Sequence, residues 1–259
     1  LVQGLIDQDV FSILVFMALF TTATVPVLLT LGVKWLRSTG DLVRAGGRDG
    51  VLIVGAGSIA RSIGSTLSRV KPVTLIDTNR ENQVAGEMDG LQVLPGSGLD
   101  EVTLESAGID KRDTLIAATP NAEVNVLIAQ MATEMGVPNV AVLLRDSDSQ
   151  TFRSLLKASD VAIVRAPEDL LDWEHATATG RAHLGTIRVT GDSEVAADFS
   201  IAPWPDDPGM FPLAVVNRFE SAAYSTSAQL SPGDEIVYLT IPGAEAFNVG
   251  AWEERLLSG

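Results

Sequence analysis

Short apolar runs alternate with segments of helical periodicity between residues 51 and 164. The runs are continuously apolar, which is typical of strands that are buried on both faces of a sheet. Six such strands are predicted, at residues 51–54, 73–76, 91–94, 114–117, 140–144 and 161–164. Strands that alternate with helices indicate parallel βαβ units. We therefore expect an α/β fold with a Rossmann-like, doubly wound parallel sheet.

Helical periodicity predicts five helices between these strands, at residues 59–69, 80–88, 99–107, 122–135 and 150–157. The fourth helix has clear end signals, since Asn121 can cap its free N–H groups and Gly136 follows its last turn. A further helix is predicted over residues 167–182, with Pro167 near its start. Such a helix can cover its own sheet or cross to a partner subunit, and the sequence leaves both open.

The turn after the first strand has the pattern of a nucleotide-binding turn, G-x-G-x-x-G/A, in the residues Gly55-Ala56-Gly57-Ser58-Ile59-Ala60. Gly57 lets a pyrophosphate approach the backbone, and the following helix offers its N–H groups to the phosphates. Asp77 ends the second apolar run, where a carboxylate accepts hydrogen bonds from a ribose diol. The pattern predicts NAD or NADH, with AMP, ADP and ATP as alternatives, and the charge of Asp77 disfavours NADP.

Residues 10–33 contain no charged residue. At ~1.5 Å per residue they reach ~36 Å, which is enough for a ~30 Å hydrocarbon core. Asp7 and Asp9 precede this run, and basic residues follow it from Lys34 onward. The positive-inside rule therefore places the residues after 34 in the cytoplasm, at the plasma (inner) membrane. Since the chain begins with Leu1, we expect it to be the C-terminal part of a longer, multi-pass membrane protein.

The character of the sequence changes again near residue 184. Strand-like runs at residues 186–190, 211–217 and 235–241 are separated by turn signals such as Pro232-Gly233. These runs predict a small β-rich α+β domain. The expected organisation is a transmembrane helix and flank (1–37), a linker (38–49), a nucleotide-binding domain (50–182) and the β-rich domain with a tail (183–259).

Composition limits the possible functions. The net charge of −15 argues against a nucleic-acid partner, and the chain has no cysteine for a thiolate metal site. Its two histidines, His175 and His183, lack carboxylates at a metal-ligand spacing, so no metal site is expected.

No acid or base is evident for a reaction beside a nicotinamide, so we expect no catalytic residues and no enzyme. A membrane-tethered NAD-dependent oxidoreductase is the distant alternative.

Several motifs together resemble the RCK/KTN family, the cytoplasmic regulatory domains of potassium channels, potassium uptake systems and cation/proton antiporters. The resemblance covers residues 50 to about 182. It rests on the glycine-rich turn and on the segments Leu75-Ile76-Asp77, Leu104-Glu105-Ser106-Ala107-Gly108-Ile109, Leu115-Ile116-Ala117-Ala118-Thr119, Leu144-Arg145 and Ala166-Pro167-Glu168. Residues 184–242 resemble the smaller C-terminal RCK domain more weakly.

The family resemblance implies a nucleotide pocket lined by Gly55, Ala56, Gly57, Ser58, Ile59, Asp77, Thr78, Arg80, Ser97, Thr119 and Asn121. Arg80 and Arg145 are the basic residues expected to reach phosphates. The chain departs from the family after the third strand, where Gly-Asp-Ala/Ser-Thr is frequent. Here Gly96-Ser97-Gly98 precedes Leu99 and Asp100, so the acid is displaced and the contacts on the adenine side are affected.

Residues 14–29 resemble the last membrane helix of a cation/proton antiporter. The resemblance therefore implies a cytoplasmic regulatory region that gates sodium or potassium exchange for protons when a nucleotide binds. Its expected partners are the membrane, an adenine nucleotide and further copies of the chain, as a homodimer or a higher homo-oligomer. The alternative is an RCK subunit or region of a potassium channel or potassium uptake system.

Overall fold

The computed structural model describes residues 13, 15–18, 20, 24, 25, 48–158, 161–188, 210–217, 221–224, 230 and 233–241, without the side chains of residues 146, 153, 154, 157 and 158. The chain divides into two units, Leu1–Gly47 and Arg48–Gly259. In the first unit the described residues are helical, and the rings of Phe16 and Phe20 stack at 6.2 Å. Within the described residues, no helix is long and apolar enough to span a membrane. Most of the predicted span at residues 10–33, and the linker up to residue 47, lie outside them.

The second unit contains the predicted parallel sheet, with six strands in the order β3-β2-β1-β4-β5-β6. The strands are β1 (Val51–Val54), β2 (Val73–Asp77), β3 (Gln92–Pro95), β4 (Thr114–Ala117), β5 (Asn139–Arg145) and β6 (Ala162–Ala166). Each neighbouring pair is parallel. This order confirms the doubly wound fold, and it places the topological switch point between β1 and β4.

Helices connect these strands as the periodicity predicts. They are α1 (Ser58–Leu67), α2 (Arg80–Met88), α3 (Glu101–Ser106), α4 (Ala122–Glu134), α5 (Asp146–Ala158) and α6 (Leu170–Ala178), and a 3₁₀ turn at Ile109–Lys111 precedes β4. Three predicted starts were wrong, and one of them is that of α6, which begins at Leu170, three residues later than predicted. The α3 helix begins two residues late because Asp100 caps it, accepting hydrogen bonds from the amide and hydroxyl of Thr103. The α5 helix begins four residues early, directly after β5.

The parallel sheet has a separate apolar core on each face. Val51 and Ile53 belong to one core, together with α1, and Leu52 and Val54 belong to the other, together with α3 and α4. All four side chains are essentially inaccessible to solvent. This double burial explains why β1 is a continuous apolar run rather than an alternating one.

A second, antiparallel sheet has the strand order β7-β10-β8-β9, with β7 (His183–Arg188), β8 (Met210–Val216), β9 (Ser221–Ala223) and β10 (Glu235–Thr240). The sequence predicted three of these strands but not the short β9. The sheet packs on α1 and shares its core, and the rings of Trp173 in α6 and Phe211 in β8 meet edge to face at 5.9 Å. The helix α6 therefore packs on α1 and also contacts the antiparallel sheet.

Candidate functional site

The glycine-rich turn joins β1 to α1 at the carboxyl edge of the parallel sheet. Gly55 has a φ of +108°, and a Cβ there would lie 2.5 Å from the Ala118 carbonyl oxygen. Its amide donates to the Ile76 carbonyl at 2.8 Å, which ties the turn to β2. Ala60 is fully buried in the core beneath α1. The turn therefore has the conformation and the close packing that the G-x-G-x-x-A pattern predicts.

Asp77 ends β2 with its carboxylate against this turn. Its Oδ2 accepts hydrogen bonds from the Ala56 amide at 2.6 Å and from Asn82 Nδ2 at 3.0 Å. Its Oδ1 accepts one from the Asn79 amide at 2.7 Å. The carboxylate is thus fixed in orientation beside the backbone of the glycine-rich turn.

The N-terminus of α1 is closed by an acidic side chain from the far end of the domain. Oε2 of Glu174, in α6, accepts hydrogen bonds from the amides of Ser58 at 2.6 Å and Ile59 at 3.4 Å. The Ser58 hydroxyl also donates to Glu174, at its backbone oxygen and its carboxylate. A Cβ on Gly57 would lie 2.7 Å from Glu174 Oε1. The carboxylate therefore occupies the anion position of the helix terminus.

Thr119 follows β4, on the other side of the switch point. Its amide and hydroxyl donate to Oδ1 of Asn125 at 2.9 and 2.6 Å. Asn125 Nδ2 in turn donates to the carbonyls of Thr119 and Leu143 at 2.9 and 3.0 Å. Asn125 is 1% exposed, so this buried network fixes the backbone directly after β4, beside the glycine-rich turn. Asn121 is exposed and caps α4, accepting from the Val124 amide at 3.0 Å.

The loop after β3 bends back over the end of β1. A Cβ on Gly98 would lie 2.3 Å from Val54 Cγ1, so only a glycine fits this contact. Ser97 is half-buried, and its hydroxyl accepts from the Leu99 amide at 3.2 Å. Hydrogen bonds from Thr103 hold the pKa of Asp100 below its usual value. Asp100 therefore acts as a helix cap, and Ser97 directly precedes the glycine that contacts Val54 at the end of β1.

The candidate phosphate-binding arginines lie in different surroundings. Arg80 is exposed and donates weakly to Gln83 Oε1 at 3.3 Å, and Thr78 beside it is exposed. Arg145 Nε binds Asp148 Oδ2 at 2.7 Å. Hydrogen bonding to that carboxylate raises the pKa of Arg145. Arg145 is thus already paired, whereas Arg80 has a contact that a ligand can readily replace.

The structure brings together the predicted residues of the turn, Asp77 and Thr119 at the carboxyl ends of β1, β2 and β4. Sequence reasoning missed Glu174 and Asn125. Glu174 lies four residues after Leu170, on the side of α6 that carries Trp173, but nothing in the sequence indicated the group that it contacts. The described residues contain no group of three or more histidine, cysteine or acidic side chains that could hold a metal ion.

Residues 51–164 match the family described as the TrkA-N domain. The Trk system potassium uptake protein TrkA of Vibrio alginolyticus is 33% identical over 97 residues, which cover 37% of this chain and 21% of that protein. A glutathione-regulated potassium-efflux system protein of Haemophilus influenzae is 32% identical over 119 residues, which cover 45% of this chain and 19% of that protein. The aligned segments thus span about a fifth of these two curated relatives.

Among solved structures, the TrkA-N domain of the inner membrane protein ybaL from Escherichia coli aligns with 50% of this chain and 95% of that chain. The identity is 17% and the TM-score is 0.41.

Proposed function

We propose that the TrkA-N domain at residues 51–164 binds an adenine nucleotide as a signal and regulates a monovalent cation transporter. The observation that supports this most is the hydrogen bond between the Asp77 carboxylate and the Ala56 amide, at 2.6 Å. It holds the Asp77 carboxylate, the proposed ribose acceptor, beside the backbone N–H groups of the turn. A ribose on Asp77 would then direct its phosphate toward the N-terminus of α1.

The proposed ligand is NAD or NADH, with AMP, ADP and ATP as alternatives. All of them have an adenosine ribose with two free hydroxyl groups, which an ionised carboxylate accepts well. NADP has a phosphate on one of these hydroxyls, and its charge would be repelled by Asp77. The proposed lining is the turn, Asp77, Thr78, Arg80, Ser97, Thr119 and Asn121. Arg80 has the cation best placed to turn toward a phosphate, since it is exposed.

The nucleotide is proposed to be a signal rather than a reactant. Redox catalysis needs an acid or base beside the reacting ring. His175 and His183 are both exposed, on α6 and at the start of β7. Around the turn, the carboxylates of Asp77 and Glu174 are both bonded to backbone amides. Such groups are suited to binding and to holding a conformation, which favours regulation over an enzymatic reaction.

The transporter is proposed to be a cation/proton antiporter, in the inner membrane with the residues after 34 in the cytoplasm. Support comes from the similarity to a potassium-efflux system protein and from the uncharged run at residues 10–33. The described residues of that run are helical and expose the apolar side chains of Ile13, Val15, Phe16, Met17, Phe20 and Val25. The similarity to TrkA supports the second candidate, a regulatory part of a potassium uptake system or channel. In either case we propose that the domain assembles with further copies of itself.

Binding is tested by titrating the full chain, in detergent, with NAD, NADH, AMP, ADP, ATP and NADP in a calorimeter. Hydrogen bonds to a charged acceptor contribute about 1.5–3 kcal/mol, so Asp77→Asn should weaken the NAD affinity by about 10-fold or more. Asp110→Asn is the matched control, because it removes the same charge in the 3₁₀ turn before β4, at the opposite edge of the sheet. An Asp77→Asn variant that binds NAD as tightly as the wild type would contradict the proposed site.

The transport class is tested in proteoliposomes that contain the transporter which the domain is proposed to regulate, together with a pH-sensitive dye. Addition of K⁺ or Na⁺ outside should move protons in the opposite direction if the protein is an antiporter. Cation uptake with no change in internal pH, once the membrane potential is clamped, would instead support the channel or uptake alternative.

A further inference from the structure

The phosphate position of the proposed site already holds an anion in this chain. Glu174 Oε2 accepts from the amides of Ser58 and Ile59, the first two residues of α1. These are the orphan N–H groups of a helix terminus, and the partial positive charge there attracts anions. A nucleotide phosphate would use the same donors. The carboxylate and the phosphate therefore compete for one set of hydrogen bonds.

The competition is also steric. Gly57 has no side chain, which is the feature that allows a pyrophosphate to approach the backbone. That space is filled here by the Glu174 carboxylate, since a Cβ on Gly57 would lie 2.7 Å from Oε1 and 3.1 Å from Oε2. Two anions cannot share this volume, and at close range their repulsion would be strong. Binding a phosphate at this position requires the carboxylate to leave.

We infer that Glu174 is an internal competitor of the nucleotide phosphate, and that nucleotide binding displaces it and releases α6 from the N-terminus of α1. This inference rests on the proposed nucleotide-binding function. The neighbouring residue, Trp173, packs edge to face on Phe211 of β8, and α6 leads into β7. Displacement of Glu174 therefore acts on a helix that contacts the antiparallel sheet. The site and that sheet are coupled through one carboxylate.

The size of the effect follows from population arithmetic. A ligand that binds only molecules with an open site has an apparent dissociation constant equal to the intrinsic one divided by the open fraction. A carboxylate with two amides and a hydroxyl as donors would keep roughly 90–99% of molecules closed, at about 1.4–2.7 kcal/mol. Removing it should therefore raise the affinity for a phosphate-containing nucleotide by about 10- to 100-fold.

The test is a calorimetric titration of the full chain with NAD, AMP and adenosine, in the wild type, Glu174→Gln and Glu174→Ala. Both variants should bind NAD and AMP more tightly, by about 10-fold or more, with the larger gain in Glu174→Ala because glutamine retains an acceptor oxygen. Adenosine has no phosphate, so its affinity should not change. Asp172→Asn is the matched control, since it removes the same charge from an exposed position on α6 and should leave all three affinities unchanged.

The possible results are distinguishable. Equal NAD affinity in the wild type and in both Glu174 variants, which must retain a cooperative thermal transition, would overturn the competition but leave the nucleotide site intact. An equal gain for adenosine would overturn it as well, because the effect would then not involve the phosphate. No binding of NAD or AMP by any variant would overturn both this inference and the proposed function. Binding by the Glu174 variants with none by the wild type would support both.

Discussion

The amide nitrogen of Ser58 lies 2.6 Å from the carboxylate of Glu174, although 116 residues separate them in the chain. This contact joins α1 to α6. A phosphate bound at the N-terminus of α1 would have to separate these two residues. Local sequence accounts for the glycine-rich turn, but only the folded chain brings Glu174 to it. The regulation proposed for this site therefore depends on tertiary structure.

The turn itself should tolerate no side chain at Gly55. We expect Gly55→Ala to lower the free energy of unfolding by roughly 3 kcal/mol, because alanine is strained at a φ of +108° and its Cβ would meet the Ala118 carbonyl. Gly90→Ala is the control, with a φ of +78° and nothing within 4 Å, and should cost only about 1 kcal/mol. Urea unfolding measures both, and equal costs would contradict the close packing of the turn.

Two asparagines at the start of α4 should behave differently. Asn125 is buried and bonds to Thr119 and the Leu143 carbonyl, so Asn125→Ala leaves buried polar groups without partners and should cost roughly 2–4 kcal/mol. Asn121 caps the same helix from an exposed position, and Asn121→Ala should cost about 1 kcal/mol. The comparison is made by denaturant unfolding. If Asn121→Ala proved the more costly, the Asn125 network would not be what holds the backbone after β4.

The ion pair at the amino-terminal edge of the parallel sheet should contribute more to the free energy of unfolding than the ion pair on the antiparallel sheet. Lys71 and Asp113 are 12% and 10% exposed and lie 2.7 Å apart. Lys71→Met leaves the Asp113 carboxylate without its cation and should cost about 3 kcal/mol. Arg188 and Glu235 are 68% and 34% exposed, so Arg188→Gln should cost less than about 1 kcal/mol. Thermal unfolding of both variants checks this order, which a reversed ranking would contradict.

The burial of Tyr224 should lower the free energy of unfolding at alkaline pH. Burial raises the pKa of its hydroxyl from 10.0 to about 12. Between these values the unfolded chain releases the phenol proton while the folded chain retains it, so the unfolding free energy falls as the pH rises, by roughly 2–3 kcal/mol in total. Tyr224→Phe has no such group and should lose less stability across this window. Parallel curves for the two proteins in urea unfolding at several pH values would refute the assignment.

The parallel sheet was predictable because burial on both faces makes each strand a continuous apolar run. Asp77 was predictable because its place at the end of β2 follows from the strand itself. Helix starts were less certain, since the side chain of Asp100, rather than the apolar pattern, decides where α3 begins. The short strand β9 offers only three residues, Ser221–Ala223, too few for a periodic signal.

The contact between Glu174 and the N-terminus of α1 could not be predicted from the sequence. The pattern of α6 identifies a buried stripe through Leu170 and Trp173, and a glutamate beside it would ordinarily be assigned to solvent. Its partner, the N-terminus of α1, becomes available only because the helix after β6 folds back over α1. The sequence left open whether that helix covers its own sheet or crosses to a partner, so this contact could not be inferred.

The nucleotide is proposed to bind at the glycine-rich turn and to take the place of Glu174 there. Hydrogen–deuterium exchange of the full chain, with and without saturating NAD, tests this proposal most directly. We expect slower exchange at residues 55–60 and 77–80, where the ligand contacts the backbone, and faster exchange at residues 170–178, where α6 is released. Unchanged exchange at residues 55–60 in the presence of bound NAD would contradict the proposal.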